Sequence, residues 1–292
     1  MHSNVNNKTH QPHDHAKKLK LVLVITISFL VIEVITGLLT NSLALIANAI
    51  HMFTDVAGIG LALFAINFSS KRSATADKTY GFYRIEILAA LLNSTIILIF
   101  SFYIIYEAYW RLFEQKEIEG LYVFFIATIG LIVNLIGIKI LHKHAKENIA
   151  VEGAYLEVLK DMYGSCAVIV AALIIISTNL YIVDPIISIG LSLFILPRTW
   201  SLMKRVVNIL MEGVPSNISY EEVKKSILEV KGVTGIFDLH LWTITSGFDA
   251  MTAHVVISDI SKSQVILKEI TSILEKQYNI THNTIQIETY HE

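Results

Sequence analysis

Six long apolar segments fill the N-terminal two thirds of the chain, and they constrain its fold more than any other feature. A helix needs about 20 apolar residues to cross the hydrocarbon core of a bilayer. The segments are Leu21–Leu39, Leu43–Phe68, Tyr83–Tyr106, Leu121–Leu141, Ala154–Ser177 and Tyr181–Leu196. Charged residues make up 16% of the 292 residues, whereas soluble domains carry roughly 25%. The sequence therefore predicts an all-α bundle of six transmembrane helices.

The segments between the predicted spans alternate in basic content. Lys and Arg are frequent in the N-terminal tail, between spans two and three, between spans four and five, and after span six. The short links between spans one and two and between spans five and six contain neither residue. Because basic residues mark the cytoplasmic side, we expect a multi-pass protein of the cell membrane with both termini in the cytoplasm.

From about residue 207 the sequence changes to that of a small soluble domain. The stretch Ser219–Glu222 is a capping box that predicts the start of a helix, which we expect to end near Lys231. The sequence then predicts strands at Ile236–Ile244, Ala250–Ile257 and Thr284–Thr289, and a helix at Val265–Gln277. The order α-β-β-α-β predicts an α+β domain with both helices on one face of the sheet. We thus expect a tail (1–18), a six-span transmembrane domain (19–206) and a cytoplasmic domain (207–292).

Ionisable residues interrupt the second and fifth apolar segments with the same spacing. His51 and Asp55 are four residues apart, and so are Glu157 and Asp161. Residues four apart share one face of a helix, so two facing helices would present one imidazole and three carboxylates to a single point. Such nitrogen and oxygen ligands suit tetrahedral Zn²⁺. A lone charge at the bilayer centre costs roughly 3 kcal/mol, and a bound divalent cation would offset that cost.

Each pair also has a simpler interpretation. A single histidine on an apolar helix usually packs in the core with its hydrogen bonds satisfied, and a single intramembrane carboxylate can pair with an asparagine. The repetition of the spacing on two helices favours one shared metal site. Other polar residues of the spans, Glu33, Asn93, Glu107 and Asn134, show no such pattern. We interpret them as interhelical or interfacial hydrogen-bonding groups.

Several motifs resemble those of the cation diffusion facilitator family, which exports divalent metals, over nearly the whole chain. They are HMFTD in span two, YGFYRIEILAAL at the start of span three, AYLEVLKDMYGS in span five, DP in span six, and GVTGIFDLHLW, AHVVI and ITHNTIQIE in the last domain. The chain is most similar to the bacterial zinc, cobalt and cadmium efflux branch. Family members most often have histidine where this chain has Glu157, and an extra carboxylate makes a site harder and more anionic.

The resemblance implies that His51, Asp55, Glu157 and Asp161 form the transport site. It also implies a homodimer whose cytoplasmic domain is ferredoxin-like and binds regulatory metal.

On that domain, strand alternation puts one set of mostly polar residues on one face of the sheet and the apolar residues on the other. The first set is Asp238, His240, Trp242, Thr252, His254, Thr284, Gln286 and Glu288. The expected ligands are His240, His254, Glu288 and His282. Against this, the face could simply be solvated or packed in the dimer, and Phe237 stands where relatives often have histidine.

Histidines also occur in the tail at His10, His13 and His15, and after span four at His142 and His144. They could gather metal, although a solvated tail explains His10, His13 and His15 equally well and a basic surface explains His142 and His144 better.

A divalent cation and protons would compete for the same ligand atoms. We therefore expect proton-coupled antiport of Zn²⁺, Cd²⁺ or Co²⁺ by alternating access, with the metal as transported and regulatory ion and no separate cofactor.

Three alternatives are a manganese or iron exporter of the same fold, a membrane metalloenzyme and a non-transporting metal sensor. Against a manganese or iron exporter, His51 favours zinc-like ions. Against a metalloenzyme, the chain has no His-Glu-x-x-His motif. Against a sensor, the paired ionisable residues of the membrane spans are present.

The charge and cysteine content exclude further classes. The net charge of −2 gives no reason to expect a nucleic-acid partner, and the single cysteine, Cys166, allows neither an intrachain disulfide nor a thiolate cluster. The absence of a glycine-rich phosphate loop favours a secondary transporter, with no enzymatic activity.

Overall fold

The structure is a computed structural model that describes residues 11–71, 75–145, 149–245 and 247–289. Within its helices the side chains of residues 11–20, 55, 58–59, 61–71, 143–145 and 149–153 lie outside the description. The described chain divides into two compact units. One contains residues from Met1–Gly60 and Asn93–Trp200, and the other contains residues from Leu61–Leu92 and Ser201–Glu292.

Six long helices form the N-terminal part of the chain. They are α1 (Gln11–Leu39), α2 (Leu43–Lys71), α3 (Arg84–Arg111), α4 (Gly120–Ala145), α5 (Ile149–Thr178) and α6 (Val183–Leu210). All except α2 are long and apolar enough over their described side chains to cross a membrane. In α2 the described apolar segment, Leu43–Thr54, is shorter. The predicted series of apolar helices is thus confirmed, with α2 described over only part of its length.

Helix α6 extends beyond the predicted sixth span. The predicted apolar segment ends at Leu196, yet the helix continues through Pro197 to Leu210. Proline has a backbone φ that suits a helix and removes a single backbone hydrogen bond. Membrane helices tolerate that loss because neighbouring groups satisfy the freed carbonyl.

Small residues allow the helices of the first unit to pack closely. Helix α4 packs along α5, and α1 packs on α4. The buried side chains between these helices and α2 include Ala44, Ala127 and Ala172. Close contact through small side chains is the usual way in which membrane helices associate, because lipid provides no hydrophobic force between them.

A buried polar contact links α1, α2 and α5. The Glu33 carboxylate accepts a hydrogen bond of 2.7 Å from the Asn48 side-chain amide, and both residues are about 1% exposed. Helix α5 approaches Asn48 at Gly164, where an added Cβ would lie 2.1 Å from the Asn48 Oδ1 atom. Only glycine therefore fits at this crossing without displacing the Asn48 amide.

The buried carboxylate of Asp184, in the first turn of α6, caps the start of α2. It accepts hydrogen bonds from the Ser42 hydroxyl at 2.6 Å and from the backbone N–H groups of Leu43 at 2.8 Å and Ala44 at 3.3 Å. The first N–H groups of a helix have no partner within the helix and carry partial positive charge. Asp184 therefore satisfies these donors and joins α6 to α2.

The C-terminal part folds as an α+β domain. Its elements are α7 (Tyr220–Leu228), β1 (Val233–Thr245), β2 (Phe248–Ile257), a 3₁₀ turn (Ile260–Lys262), α8 (Ser263–Tyr278) and β3 (His282–Glu288). Strand β2 lies in the middle, antiparallel to β1 and parallel to β3. Ser219 caps the start of α7 as predicted, since its hydroxyl accepts a hydrogen bond from the Glu222 N–H.

The core of this domain lies between one face of the sheet and the two helices. Leu239, Leu241 and Val255 from the strands pack in one buried cluster with Ile227 of α7 and Ile270 of α8. The strand alternation predicted from the sequence is therefore confirmed for the apolar residues. The opposite face of the sheet carries the polar residues.

Replacing Gly164 with alanine should destabilise the helical unit, because the new methyl group would displace Asn48 and break its bond to Glu33. We expect a loss of about 2 kcal/mol, in the range for overpacked cores. The measurement is thermal unfolding of the purified protein in detergent. Gly190→Ala is the control, because no atom lies within 4 Å of the added Cβ there. Equal melting temperatures for the two variants would contradict the contact.

Candidate metal centre

Two of the four predicted membrane ligands lie side by side. The His51 Nδ1 atom of α2 is 3.6 Å from the Asp161 Oδ1 atom of α5, and the two side chains are 13% and 4% exposed. The apolar surroundings exclude most water from this pair. An imidazole and a carboxylate in contact form a nitrogen and oxygen donor set of the kind that zinc binds.

The contacts between α2 and α5 fix their register. Asn48 lies opposite Gly164, and His51, three residues later in α2, contacts Asp161, three residues earlier in α5. The two helices are therefore antiparallel. The same register puts position 55 opposite position 157, about one turn or 6 Å from the first pair. The side chain of Asp55 itself lies outside the described residues.

Helix α6 adds two residues on the same side. The Phe194 ring stacks near the His51 ring, with centroids 6.4 Å apart and planes 24° from parallel. Four residues later, the Arg198 guanidinium donates to both oxygens of Glu157, at 2.7 and 3.0 Å. Because residues four apart share a helix face, one face of α6 supplies both contacts.

Glu157 has a second basic partner on its own helix. The Lys160 Nζ atom lies 3.2 Å from Glu157 Oε2. The Glu157 side chain is 23% exposed, whereas Arg198 is 58% exposed. Glu157 is thus a carboxylate at the edge of the buried region, bonded by two cationic side chains.

The described side chains gather no group of three or more histidine, cysteine, aspartate or glutamate residues around one point that could hold a metal ion. The structure joins His51 to Asp161 and joins Glu157 to Arg198 and Lys160. Arg198 and Phe194 were not among the predicted site residues. Arg198 follows the predicted span six and is one of the basic residues that indicate the cytoplasmic side.

A second cluster of ionisable residues lies on the polar face of the C-terminal sheet. The His254 Nδ1 atom is 2.8 Å from Glu288 Oε1, and the His240 Nε2 atom is 2.9 Å from Asp238 Oδ1. Asp238 Oδ2 lies 3.8 Å from His254 Nε2 and so links the two halves of the cluster. We name Asp238, His240, His254 and Glu288 the sheet-face cluster.

Asp238 owes its position to an irregularity in β1. Its φ is +50°, and the pairing of β1 with β2 shifts between Phe237 and His240. A bulge of this kind redirects a side chain, and aspartate is one of the residues that accept positive φ. Strand alternation already placed Asp238 on this face but gave no reason to select it as a ligand.

His282 lies apart from the sheet-face cluster. It is paired with Ala250 at the start of β3, whereas His254 is paired with Gln286. Four residues separate the two positions, which is about 13 Å along a strand. The His282 ring instead contacts the rings of Tyr80 and Phe248, with centroids 5.5 and 5.7 Å away. The expectation that His282 joins His240, His254 and Glu288 is therefore not met within one chain.

The other predicted histidines contribute no described site. His10 lies outside the described residues, as do the side chains of His13, His15 and His144. His142 is exposed, and its ring lies 5.7 Å from that of Tyr155.

Two protein-family models match nearly the whole chain. The model described as a cation efflux transmembrane domain matches residues 19–211. The model described as the cytoplasmic domain of a cation efflux protein matches residues 215–290.

Several named proteins are similar to this chain over most of their length. The metal cation efflux system protein CzcD of Cupriavidus metallidurans is 43% identical over 94% of this chain and 89% of its own. A cadmium, cobalt and zinc/H(+)-K(+) antiporter of Bacillus subtilis is 40% identical over the same shares. The zinc transporter ZitB of Escherichia coli is 37% identical over 98% of this chain and 92% of its own. A solved structure, the metal-bound C-terminal domain of the first species' CzcD, is 40% identical over 24% of this chain and 99% of that one, with a TM-score of 0.23.

The register of α2 and α5 can be tested with paired cysteines. Asp55→Cys and Glu157→Cys, combined with Cys166→Ser, should be joined by a short bifunctional thiol reagent, because the two positions lie opposite each other. The readout is the intact mass of the protein, which increases by one reagent molecule for a cross-link and by two when each thiol reacts separately. Asp55→Cys alone, with the native Cys166, is the control, since position 166 lies about 13 Å further along α5. Linkage of 55 to 166 and none of 55 to 157 would contradict the register.

Proposed function

This chain belongs to the cation efflux family, and we propose that it exports divalent metal cations from the cytoplasm in exchange for protons. It is a multi-pass membrane transporter and not an enzyme, as its family and its named relatives indicate. The relatives are named for zinc, cadmium and cobalt, and we infer zinc as the principal substrate here. The observation that carries this proposal is the buried contact between His51 and Asp161 across two antiparallel helices.

We infer that His51, Asp55, Glu157 and Asp161 hold the transported ion. The α2–α5 register supports this set, because it brings positions 55 and 157 to the same level beside the pair that is already in contact. One imidazole and three carboxylates match the ligand preference of Zn²⁺. The negative charge of this set, buried in a bilayer, would favour a divalent ion over a monovalent one.

Proton coupling follows from the chemistry of these ligands. Carboxylates and imidazole bind a metal ion only when they are deprotonated, so protons and metal compete for the same atoms. A site that exchanges metal for protons as its access alternates between the two sides would use the proton gradient to expel metal. The basic residues at the predicted cytoplasmic ends support an orientation in which metal enters from the cytoplasm.

We propose a regulatory role for the C-terminal domain, residues 207–292, in a homodimer. The transport domain would comprise residues 19–206 and follow a tail of residues 1–18. The sheet-face cluster offers two imidazoles and two carboxylates as two hydrogen-bonded pairs, His240 with Asp238 and His254 with Glu288, and Asp238 lies 3.8 Å from His254. As placed, the described side chains form no group of three ligands around one point, so binding of one cation would require these side chains to rearrange. Metal binding there would report the cytoplasmic metal concentration to the transport domain.

Asp161→Asn should abolish zinc export. The change removes the charge of a buried ligand, so we expect the flux to fall more than about ten-fold, since even groups that only support metal ligands have effects of that size. The measurement is zinc-driven proton movement in proteoliposomes, with cadmium, cobalt and manganese as competitors. Asp259→Asn, an exposed cap in the C-terminal domain, is the control. Undiminished zinc flux in Asp161→Asn would reject the site, and stronger competition by manganese than by cadmium would favour a manganese exporter.

His254→Ala should weaken metal regulation while leaving the transport site intact. We expect the zinc concentration for half-maximal flux, measured at the face that exposes the C-terminal domain, to rise several-fold because a ligand of the sheet-face cluster is lost. His142→Ala, an exposed histidine of α4, is the control. If the zinc concentration for half-maximal flux changed in His282→Ala and did not change in His254→Ala, the regulatory metal site would lie outside the sheet-face cluster.

A further inference from the structure

Glu157 is bonded in a way that conflicts with metal binding. Each of its two oxygens accepts a hydrogen bond from the Arg198 guanidinium, and Oε2 also contacts Lys160. The two nitrogens of one guanidinium match a carboxylate in a fixed, planar geometry. A divalent ion on the same oxygens would meet the positive charge of Arg198 at short range. Arg198 and a metal ion therefore compete for Glu157.

Helix α6 keeps Arg198 close to the site. Phe194, one turn earlier on the same face, stacks near His51, the predicted ligand at the other level of the site. Arg198 is also 58% exposed, so its long side chain has space to leave Glu157 for water without movement of the helix. Its charge is permanent over the physiological pH range. These features describe a cation that is tethered beside the site and has solvent space into which it can withdraw.

We propose that Arg198 is a tethered competitor of the transported cation. It binds Glu157 whenever the metal does not, and it must withdraw before the metal can use all four ligands. This inference rests on the proposed function, because it assumes that Glu157 is a transport ligand. Lys160 contributes a weaker, single contact from the same helix as Glu157.

The competition would affect release more than capture. A site with three carboxylates binds a divalent ion tightly, and tight binding slows release. When the ion begins to leave, the Arg198 guanidinium can pair with the Glu157 carboxylate, so that carboxylate is not left without a cationic partner. Arg198 would therefore lower the affinity for the metal and increase the turnover rate.

The contact also has a simpler interpretation, in which Arg198 and Glu157 form a structural ion pair at the edge of the membrane. In that case removal of the arginine would destabilise the protein or raise KM, and it would not tighten metal binding. The two interpretations thus predict opposite changes in affinity.

The test compares Arg198→Gln with wild type by zinc transport in proteoliposomes. We expect KM for zinc to fall about five-fold, the factor that corresponds to loss of a partly exposed ion pair, together with a lower kcat. Arg198→Lys keeps the charge but loses the two-point contact, so it should shift KM less in the same direction. Arg205→Gln, an exposed arginine of the same helix, should behave as wild type. An unchanged or higher KM in Arg198→Gln would overturn the proposal.

A second measurement separates this inference from the proposed function. Zinc affinity of the purified full chain is measured by competition with a fluorescent chelator, for Arg198→Gln and wild type, each with and without Glu157→Gln. We expect Arg198→Gln to tighten binding only where Glu157 is present. Tightening that persists in the Glu157→Gln background would refute competition at this carboxylate. If wild type binds zinc with this dependence on Arg198 but exports none, the competition stands and the transport proposal fails; if wild type binds no zinc, both fail.

Discussion

Acidic side chains buried among apolar helices need a partner, and this requirement organises the first unit of the structure. Four carboxylates of this unit, three of them buried and Glu157 at the edge of the buried region, have different partners. The pairs are Glu33 with the Asn48 amide, Asp184 with the start of α2, Asp161 with His51, and Glu157 with Arg198. The first two partners are fixed parts of the fold. The last two partners are an imidazole and an exposed guanidinium, and we propose that a metal ion can replace either of them at its carboxylate.

Much of the fold follows from patterns that repeat along the sequence. Apolar runs of span length predict the helices, and alternation along the strands identifies which face of the sheet packs on α7 and α8. Single events that break a pattern were harder to predict. Helix α6 continues through Pro197, and a bulge turns Asp238 towards two histidines. Both depend on neighbouring groups that become close only in the folded chain.

The same distinction holds for the candidate metal centre. Two pairs with equal spacing select positions 51, 55, 157 and 161, and the α2–α5 register agrees with that selection. Arg198 has no counterpart in any repeated spacing, and it is 41 residues from Glu157 in sequence. Its role emerges only when α5 and α6 are placed side by side. On the sheet, strand alternation did not indicate the separation along the strands, and the register of β3 puts His282 four residue positions from His254.

The cap on α2 has a consequence for how the chain is made. Ser42 and Asp184 are separated by 142 residues in sequence, so the second helix leaves the ribosome well before the residue that completes its N-terminal end. At ordinary elongation rates the delay is on the order of ten seconds. Until then the first N–H groups of that helix depend on water or lipid headgroups for hydrogen bonds. Assembly of the bundle is therefore complete only when its last helix is made, because that helix caps the N-terminus of a helix that was inserted long before it.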